Sequence, residues 1–419
     1  MSDAYEDVVI TRLGALGDGV TERKVQDGAA QTAKGPLFIP FALPGETWRL
    51  FAGGSPPRRE TDSPDRIAPL CQHFGTCGGC MSQHMSPSLY ADWKRGAIVQ
   101  AFAHRGIEAD VGALTAIAPH SRRRAFLGVE RTDKNVAIGF REEGQHTLVD
   151  IMECPVLDAL IVAALPLLKE MAKIAMPGRT SGRLVVTKLD HGLDVSFDNG
   201  HKMLHADDRQ ALAKLCKTGR IIRLIVAGDM VVTHESPSLT LGGVAVDPPP
   251  SIFLQAVPQA ESLLIDLVMA ALPAKAKRVA DLFCGIGTFA LPLARKVQVF
   301  AVDSDKRALA ALEAATRHAT GLKPIEVRTR DLFREPLSPK ELENFDAVVF
   351  DPPRAGAAEQ VERIARSKVR HVIAVSCAPT TLARDAKTLI DAGFTMGPVT
   401  PIDQFLYSPH TEAVVVFKR

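Results

Sequence analysis

Residues 281–290 read Asp281-Leu282-Phe283-Cys284-Gly285-Ile286-Gly287-Thr288-Phe289-Ala290, and this stretch decides the fold. The apolar run Val279–Phe283 predicts a strand, and the pattern from Thr288 to Lys296 predicts a helix. Between them, Gly285 and Gly287 let the backbone turn sharply and approach a ligand without a Cβ in the way. Outward from this loop the alternation repeats. A strand at 297–302 ends on Asp303, a helix follows over 306–319, and a strand at 325–328 ends near Asp331. A strand at 345–350 ends on Asp351, and one at 371–375 ends on Ser376-Cys377. A helix over 380–392 and two strand-like runs follow. Such alternation predicts an α/β, doubly wound parallel sheet, in which ligands bind outside the carboxyl ends of the strands.

Chemically loaded residues fall at those ends. Asp303 is placed to accept hydrogen bonds from both hydroxyls of a ribose. In Asp351-Pro352-Pro353-Arg354, two prolines stiffen the turn and hold the carboxylate outward. Ser376-Cys377-Ala378-Pro379 sets a cysteine just before a helix, whose N-terminus can activate a thiol. That help matters, because only about a few per cent of an ordinary thiol is thiolate at neutral pH. A lone cysteine is more often an inert buried thiol, but Asp351 and the glycine loop beside it favour a nucleophile. His410-Thr411-Glu412 opens the last strand, while Cys284 reads as packing and Cys216, in a helical stretch with Lys214 and Lys217, as incidental. Gly-x-Gly-x-x-Ala lies within the dinucleotide fingerprint, so the loop alone fits either a dinucleotide or S-adenosylmethionine.

Upstream, Cys71, Cys77 and Cys80 stand close together, with Gly78-Gly79 letting the chain wrap around a metal. Cys154 can close a four-thiolate site in space. Four thiolates suit zinc or a four-iron cluster, and the spacing alone does not choose between them. Residues 1 to about 55 read as short strands between glycine turns, a small β-barrel, followed by a proline-rich linker over 55–69. Helix 89–104 and the paired strands 184–189 and 193–197 mark a central α+β region. The expected domains are 1–57, 58–255 and 256–419, in keeping with 419 residues.

Lys and Arg number 50 against 48 Asp and Glu, so any surface for a polyanion must be local. Residues 1–60 carry seven Lys/Arg and eight Asp/Glu, a net −1, which leaves Arg58-Arg59 and Arg122-Arg123-Arg124 as candidate phosphate contacts. Few aromatics argue against a large carbohydrate-binding surface. The apolar run Val156–Leu168 is too short to span a bilayer, and the acidic first residues do not resemble a signal peptide. A soluble, cytoplasmic protein without a membrane partner is expected.

Taken together, these motifs resemble the RNA uracil-5-methyltransferases, over nearly the whole chain. The barrel with Ala42-Leu43-Pro44-Gly45-Glu46 resembles the TRAM domain, an OB-like module that grips RNA. Cys71, Cys77, Cys80 and Cys154 resemble the ligands of a [4Fe-4S] cluster in the ribosomal-RNA members. Phe253-Leu254-Gln255 resembles a segment whose glutamine reaches cofactor and substrate. The resemblance implies S-adenosylmethionine binding by Gln255, Phe283, Thr288, Asp303, Asp331 and Asp351, with Cys377 as nucleophile and Glu412 as proton acceptor. Thr288, Asp303 and Asp331 depart from the residues many members carry, each keeping a hydrogen-bonding group. Transfer-RNA members generally lack the barrel and the cysteines, so the resemblance favours 23S ribosomal RNA and a monomeric enzyme.

Cys377 would add to C6 of a flipped-out uracil, making C5 nucleophilic enough to take a methyl group. Other readings compete. A transfer-RNA uracil-5-methyltransferase shares every catalytic motif. A nicotinamide-dependent oxidoreductase would use the same loop but leaves Cys377 and the cysteine cluster without a role. An amino-methylating enzyme would need an aromatic where Arg354 stands, and a non-catalytic RNA-binding metalloprotein predicts no turnover.

Overall fold

Strand Arg278–Leu282 lies inside the C-terminal sheet, and the chain winds away from it in both directions. On one side stand Gln298–Asp303 and then Ile325–Thr329; on the other stand Ala347–Phe350, His371–Ser376, Glu412–Lys418 and Thr395–Met396. Thr400–Ile402 pairs with Glu412–Lys418 off this path. The five strands from 325–329 to 371–376 run parallel, and Glu412–Lys418 runs antiparallel to its neighbour. The structure is a computed structural model, and it describes residues 5–22, 35–52 and 55–419.

Helices on both faces explain why the strands read as unbroken apolar runs. One face takes Val279, Val299 and Val349 against Leu264 and Val268 of helix Pro258–Ala271 and Leu309 and Leu312 of helix Lys306–His318. The other takes Ala280, Val302 and Val348 against Ile364 of helix Ala358–Ala365 and Leu382 of helix Pro379–Asp391. Ile98 and Phe102 of the distant helix Pro87–Ala103 fill the same layer. The order of strands reverses between 278–282 and 347–350, which opens a crevice at their carboxyl ends. The helix after the glycine loop spans only Ala290–Ala294, shorter than the expected 288–296. Gly287, at φ +97°, still belongs to the turn and delays the helix.

Upstream, a second sheet runs in the order 229–233, 221–226, 193–197, 180–188, 124–131, 136–141, 148–150. Helix Ala159–Ala175 lays Ile161, Leu165 and Leu168 on one of its faces, which accounts for the apolar run noted above. Asp158 starts that helix by accepting from the Leu160 N–H at 2.9 Å.

The N-terminal strands form two small sheets, 5–9/47–51/58–59 and 12–13/19–22/36–39, around Val8, Ile10, Ile39 and Ala42. Residues 1–4, 23–34 and 53–54 of the expected barrel segment lie outside the described residues. Arg58–Arg59, expected in a linker, instead pairs with Trp48–Arg49. Trp93 docks these sheets on helix Pro87–Ala103, donating to the Gly14 carbonyl at 2.9 Å. Among the described residues no helix is long and apolar enough to cross a membrane.

Candidate active site

The glycine loop stands at the crevice. Gly285 has φ +54°, and a Cβ built there meets nothing within 4 Å, so its open side faces room for a ligand. Gly287 serves packing instead: a Cβ there falls 2.6 Å from Leu312 Cδ1. Asp303 Oδ2 accepts from the Gly285 N–H at 2.9 Å, and Oδ1 accepts from the Asp305 N–H at 2.8 Å. Each oxygen keeps a lone pair for a ribose hydroxyl. Thr288 is half-buried in the turn. Phe283, at φ +61°, sets its ring 5.5 Å from that of Phe333, and Asp331 accepts from the Phe333 N–H at 3.0 Å. Phe333 is exposed and carried no sequence signal, since one phenylalanine in a loop has no periodicity to mark it.

Asp281 is fully buried, with no hydrogen-bond partner for either carboxylate oxygen. Burial first, then the charge of Asp351, hold its carboxyl well above the usual range, and the Ala290 N–H pulls the other way. An orphaned carboxylate beside an open glycine cradle fits a ligand that brings a cationic amine, as the methionine end of S-adenosylmethionine does.

Across the crevice, four side chains form one hydrogen-bonded chain. Gln255 Nε2 donates to Asp351 Oδ2 at 2.7 Å; Gln404 Nε2 donates to Gln255 Oε1 at 2.7 Å and to Glu412 Oε2 at 2.8 Å. Burial and the Asp351 charge push Glu412 up, against the Gln404 hydrogen bond, and burial likewise pushes Asp351 up against that of Gln255. The structure thus brings together Gln255, Asp351, Cys377 and Glu412, which the sequence singled out, and adds Gln404, which it did not. Burial, then Glu412 and Asp351, push the Cys377 thiol up to about 12, and Arg354 is the cation opposing them.

The cysteine segment folds against the 141–154 region. Gly78 N–H donates to the Arg141 carbonyl at 2.9 Å, and Gln72 N–H to Glu153 Oε1 at 2.7 Å. This brings Cys71, Cys77, Cys80 and Cys154 to the wall of one cavity of about 260 Å³, which Arg122, Arg354 and His410 also line. Burial raises each thiol, Cys80 to about 12, and the neighbouring cysteines raise Cys71, Cys77 and Cys80 further. Among the described residues no three His, Cys, Asp or Glu side chains are set to hold a metal ion.

Two of the three arginines in the run 122–124 are buried and engaged within the protein, while Arg122 is half-buried and lines the cysteine cavity. Arg123 is 2% exposed, forks onto Glu261 at 2.6 and 3.2 Å, and donates to the Gln255 carbonyl at 3.0 Å. Arg124 is buried, donates to the Ser251 carbonyl at 2.8 Å and lies over the Phe126 ring. These contacts fix the segment that delivers Gln255.

Comparison with known proteins places this geometry. Residues 249–419 match the family model described as tRNA (Uracil-5-)-methyltransferase. A protein of Brucella suis biovar 1, named an uncharacterized RNA methyltransferase, is 44% identical over 98% of this chain and 97% of its own length. The 23S rRNA (uracil(1939)-C(5))-methyltransferase RlmD of Klebsiella pneumoniae is 31% identical over 98% of this chain and 95% of its own. The solved structure of Pyrococcus abyssi tRNA (uracil-54, C5)-methyltransferase with S-adenosyl-L-homocysteine shares the fold, with TM-score 0.74 and 24% identity over 98% of this chain and 99% of that one. The C-terminal sheet therefore has the fold of an S-adenosylmethionine-dependent methyltransferase. The chain belongs to the RNA (uracil-5-)-methyltransferase family.

Proposed function

We propose that this enzyme methylates C5 of a uridine in RNA, with S-adenosylmethionine as donor and a covalent Cys377 adduct as intermediate. The observation carrying this reading is the single chain Asp351–Gln255–Gln404–Glu412, set beside Cys377 and across the crevice from the glycine loop. Gln255, Phe283, Thr288, Asp303, Asp331 and Asp351 form the cofactor side of the pocket. When bound, S-adenosylmethionine supplies a methyl group made electrophilic by its sulfonium.

Uracil C5 is a poor nucleophile until C6 carries a thiolate. Sγ of Cys377 bonds to C6, its proton passing to Asp351, and the C5=C6 electrons shift towards C5 and O4. C5 then takes the methyl group. Glu412 accepts the C5 proton; the C–H electron pair re-forms the C5=C6 bond and expels the thiolate. The base must leave its stack to reach this depth.

The favoured substrate is 23S ribosomal RNA, on the full-length similarity to the Klebsiella enzyme together with the four cysteines and the N-terminal strands. In this reading residues 1–57 form a TRAM-like RNA-binding barrel, 58–255 a central domain and 256–419 the methyltransferase domain of a cytoplasmic monomer. Cys71, Cys77, Cys80 and Cys154, which line one cavity, are the residues that would hold a [4Fe-4S] cluster, the assignment resting on the resemblance to the ribosomal-RNA members and on that shared cavity wall. The likeness to the Pyrococcus fold supports transfer RNA as the second reading. Mass spectrometry of RNA from a deletion strain decides between them. Loss of one 5-methyluridine from 23S RNA is expected; loss from transfer RNA alone would shift the assignment, and loss from neither would refute the activity.

A further inference from the structure

Gln404 occupies the middle of the site. It is 2% exposed, and its amide nitrogen bridges Gln255 and Glu412 at 2.7 and 2.8 Å. Its orientation is fixed by valence: reversed, the carbonyl oxygen would face two acceptors. Its own Oε1 has no partner, an unmet acceptor that a purely structural glutamine has no reason to carry.

The loop carrying Gln404 is anchored from behind. Asp403, 1% exposed, pairs with the buried Lys94 of helix Pro87–Ala103 and accepts from Tyr90 Oη at 2.8 and 3.0 Å. Lys94 Nζ also donates to the carbonyls of Phe405 at 3.0 Å and His410 at 2.9 Å. Tyr407 N–H donates to Tyr90 Oη at 2.9 Å. This clamp seizes the chain on both sides of Gln404 and stops two residues short of Glu412.

We infer that Gln404 is a positioning residue for the closing proton transfer, holding the Glu412 carboxylate ionised and in one orientation. The inference rests on Glu412 being the base that takes the C5 proton. The charged and titratable groups around it are Asp351 and Cys377 at neighbouring strand ends, with Arg354 and His410 beyond them. Asp351 and burial both disfavour the ionised carboxylate, and the Gln404 donor is the contact that favours it.

The test follows labelled methyl groups from S-adenosylmethionine into RNA across pH, separating first transfer from product release. Gln404→Met removes both hydrogen bonds. Because Gln404 also holds Gln255, some loss of first methyl transfer is expected, but it should be smaller than the loss of release. Release should slow roughly 10–100-fold, the range seen when an outer hydrogen-bond partner is lost at metal sites. The rising limb of the release profile should move to higher pH, and a labelled protein–RNA complex should accumulate on denaturing gels. Gln404→Glu keeps the side-chain volume, so it reports even if Gln404→Met misfolds. By setting a second acid against Glu412, it should move the limb further still. Native release with an unmoved limb in either folded variant overturns the inference, and so does an equal loss of first transfer and release. Normal release by Glu412→Gln would overturn the base assignment itself, whatever the Gln404 variants do.

Discussion

Asp281 shows how the site trades stability for binding. A wholly buried carboxyl without a partner destabilises its ionised form, so the folded chain holds this proton more tightly than the unfolded chain does. Its folded pKa is raised, so its contribution is fully present below the ordinary value of 3.8 and is lost as pH rises through the folded value. Asp351 and Glu412 are raised as well and act with the same sign. The ligand-free protein is therefore expected to melt at a higher temperature at pH 6 than at pH 8. Asp281→Asn should flatten that dependence and raise the pH 8 melting temperature by at least about 2 °C, the effect of roughly 1 kcal/mol. It should also weaken S-adenosylmethionine binding. Scanning calorimetry and a titration of the cofactor check both; a melting temperature at pH 8 lower for Asp281→Asn than for the native chain would show that Asp281 finds a partner. The sequence sets Asp281 first in the stretch that leads into the glycine loop, so its place at the site was legible. It could not show the missing partners, which depend on side chains brought in from elsewhere.

Elements were legible where periodicity was strong. The parallel strands and the helices at 306–318 and 379–391 follow from unbroken apolar runs and from amphipathic stretches bounded by turn residues. The helix after the glycine loop was read too long, since a positive φ at Gly287 leaves no composition signal beyond the glycine itself. The burial of Arg123 is not legible in the sequence because exposure is a tertiary property: its partner Glu261 lies 138 residues away. Gln404 had no local signal at all, as its partners are Gln255 and Glu412 on other elements. The loop glycines make a testable contrast. Gly287→Ala pairs a strained φ with a Cβ 2.6 Å from Leu312, and overpacking of that kind costs about 1–3 kcal/mol in stability. Gly285→Ala meets no protein atom, so only the left-handed backbone, about 1–2 kcal/mol, opposes it. Its main effect should be on S-adenosylmethionine affinity, because the new methyl group enters the space the ligand needs. Equal loss of affinity in both variants, at equal stability, would contradict this division of roles.

At the scale of the molecule, residues distant in sequence close one site. Helix Pro87–Ala103 pairs its Lys94 with Asp403, and the Met81 N–H, one residue past Cys80, donates to the Tyr407 carbonyl at 2.8 Å. The cysteine segment thereby touches the loop that leads to Glu412. Protein purified without oxygen should be brown and carry about four iron atoms per chain, while one zinc atom without visible absorbance would overturn the cluster assignment. The central claim is that Cys377 bonds to uracil C6 during methylation, and RNA bearing 5-fluorouridine tests it most directly. Fluorine at C5 cannot leave as a proton, so Glu412 has nothing to accept and the thiolate cannot be expelled. Peptide mass mapping of the trapped complex should find the methylated fluorouridine on Cys377, and Cys377→Ala should trap nothing while still binding S-adenosylmethionine. An adduct on another residue, or near-native methylation of ordinary RNA by Cys377→Ala, would contradict the account.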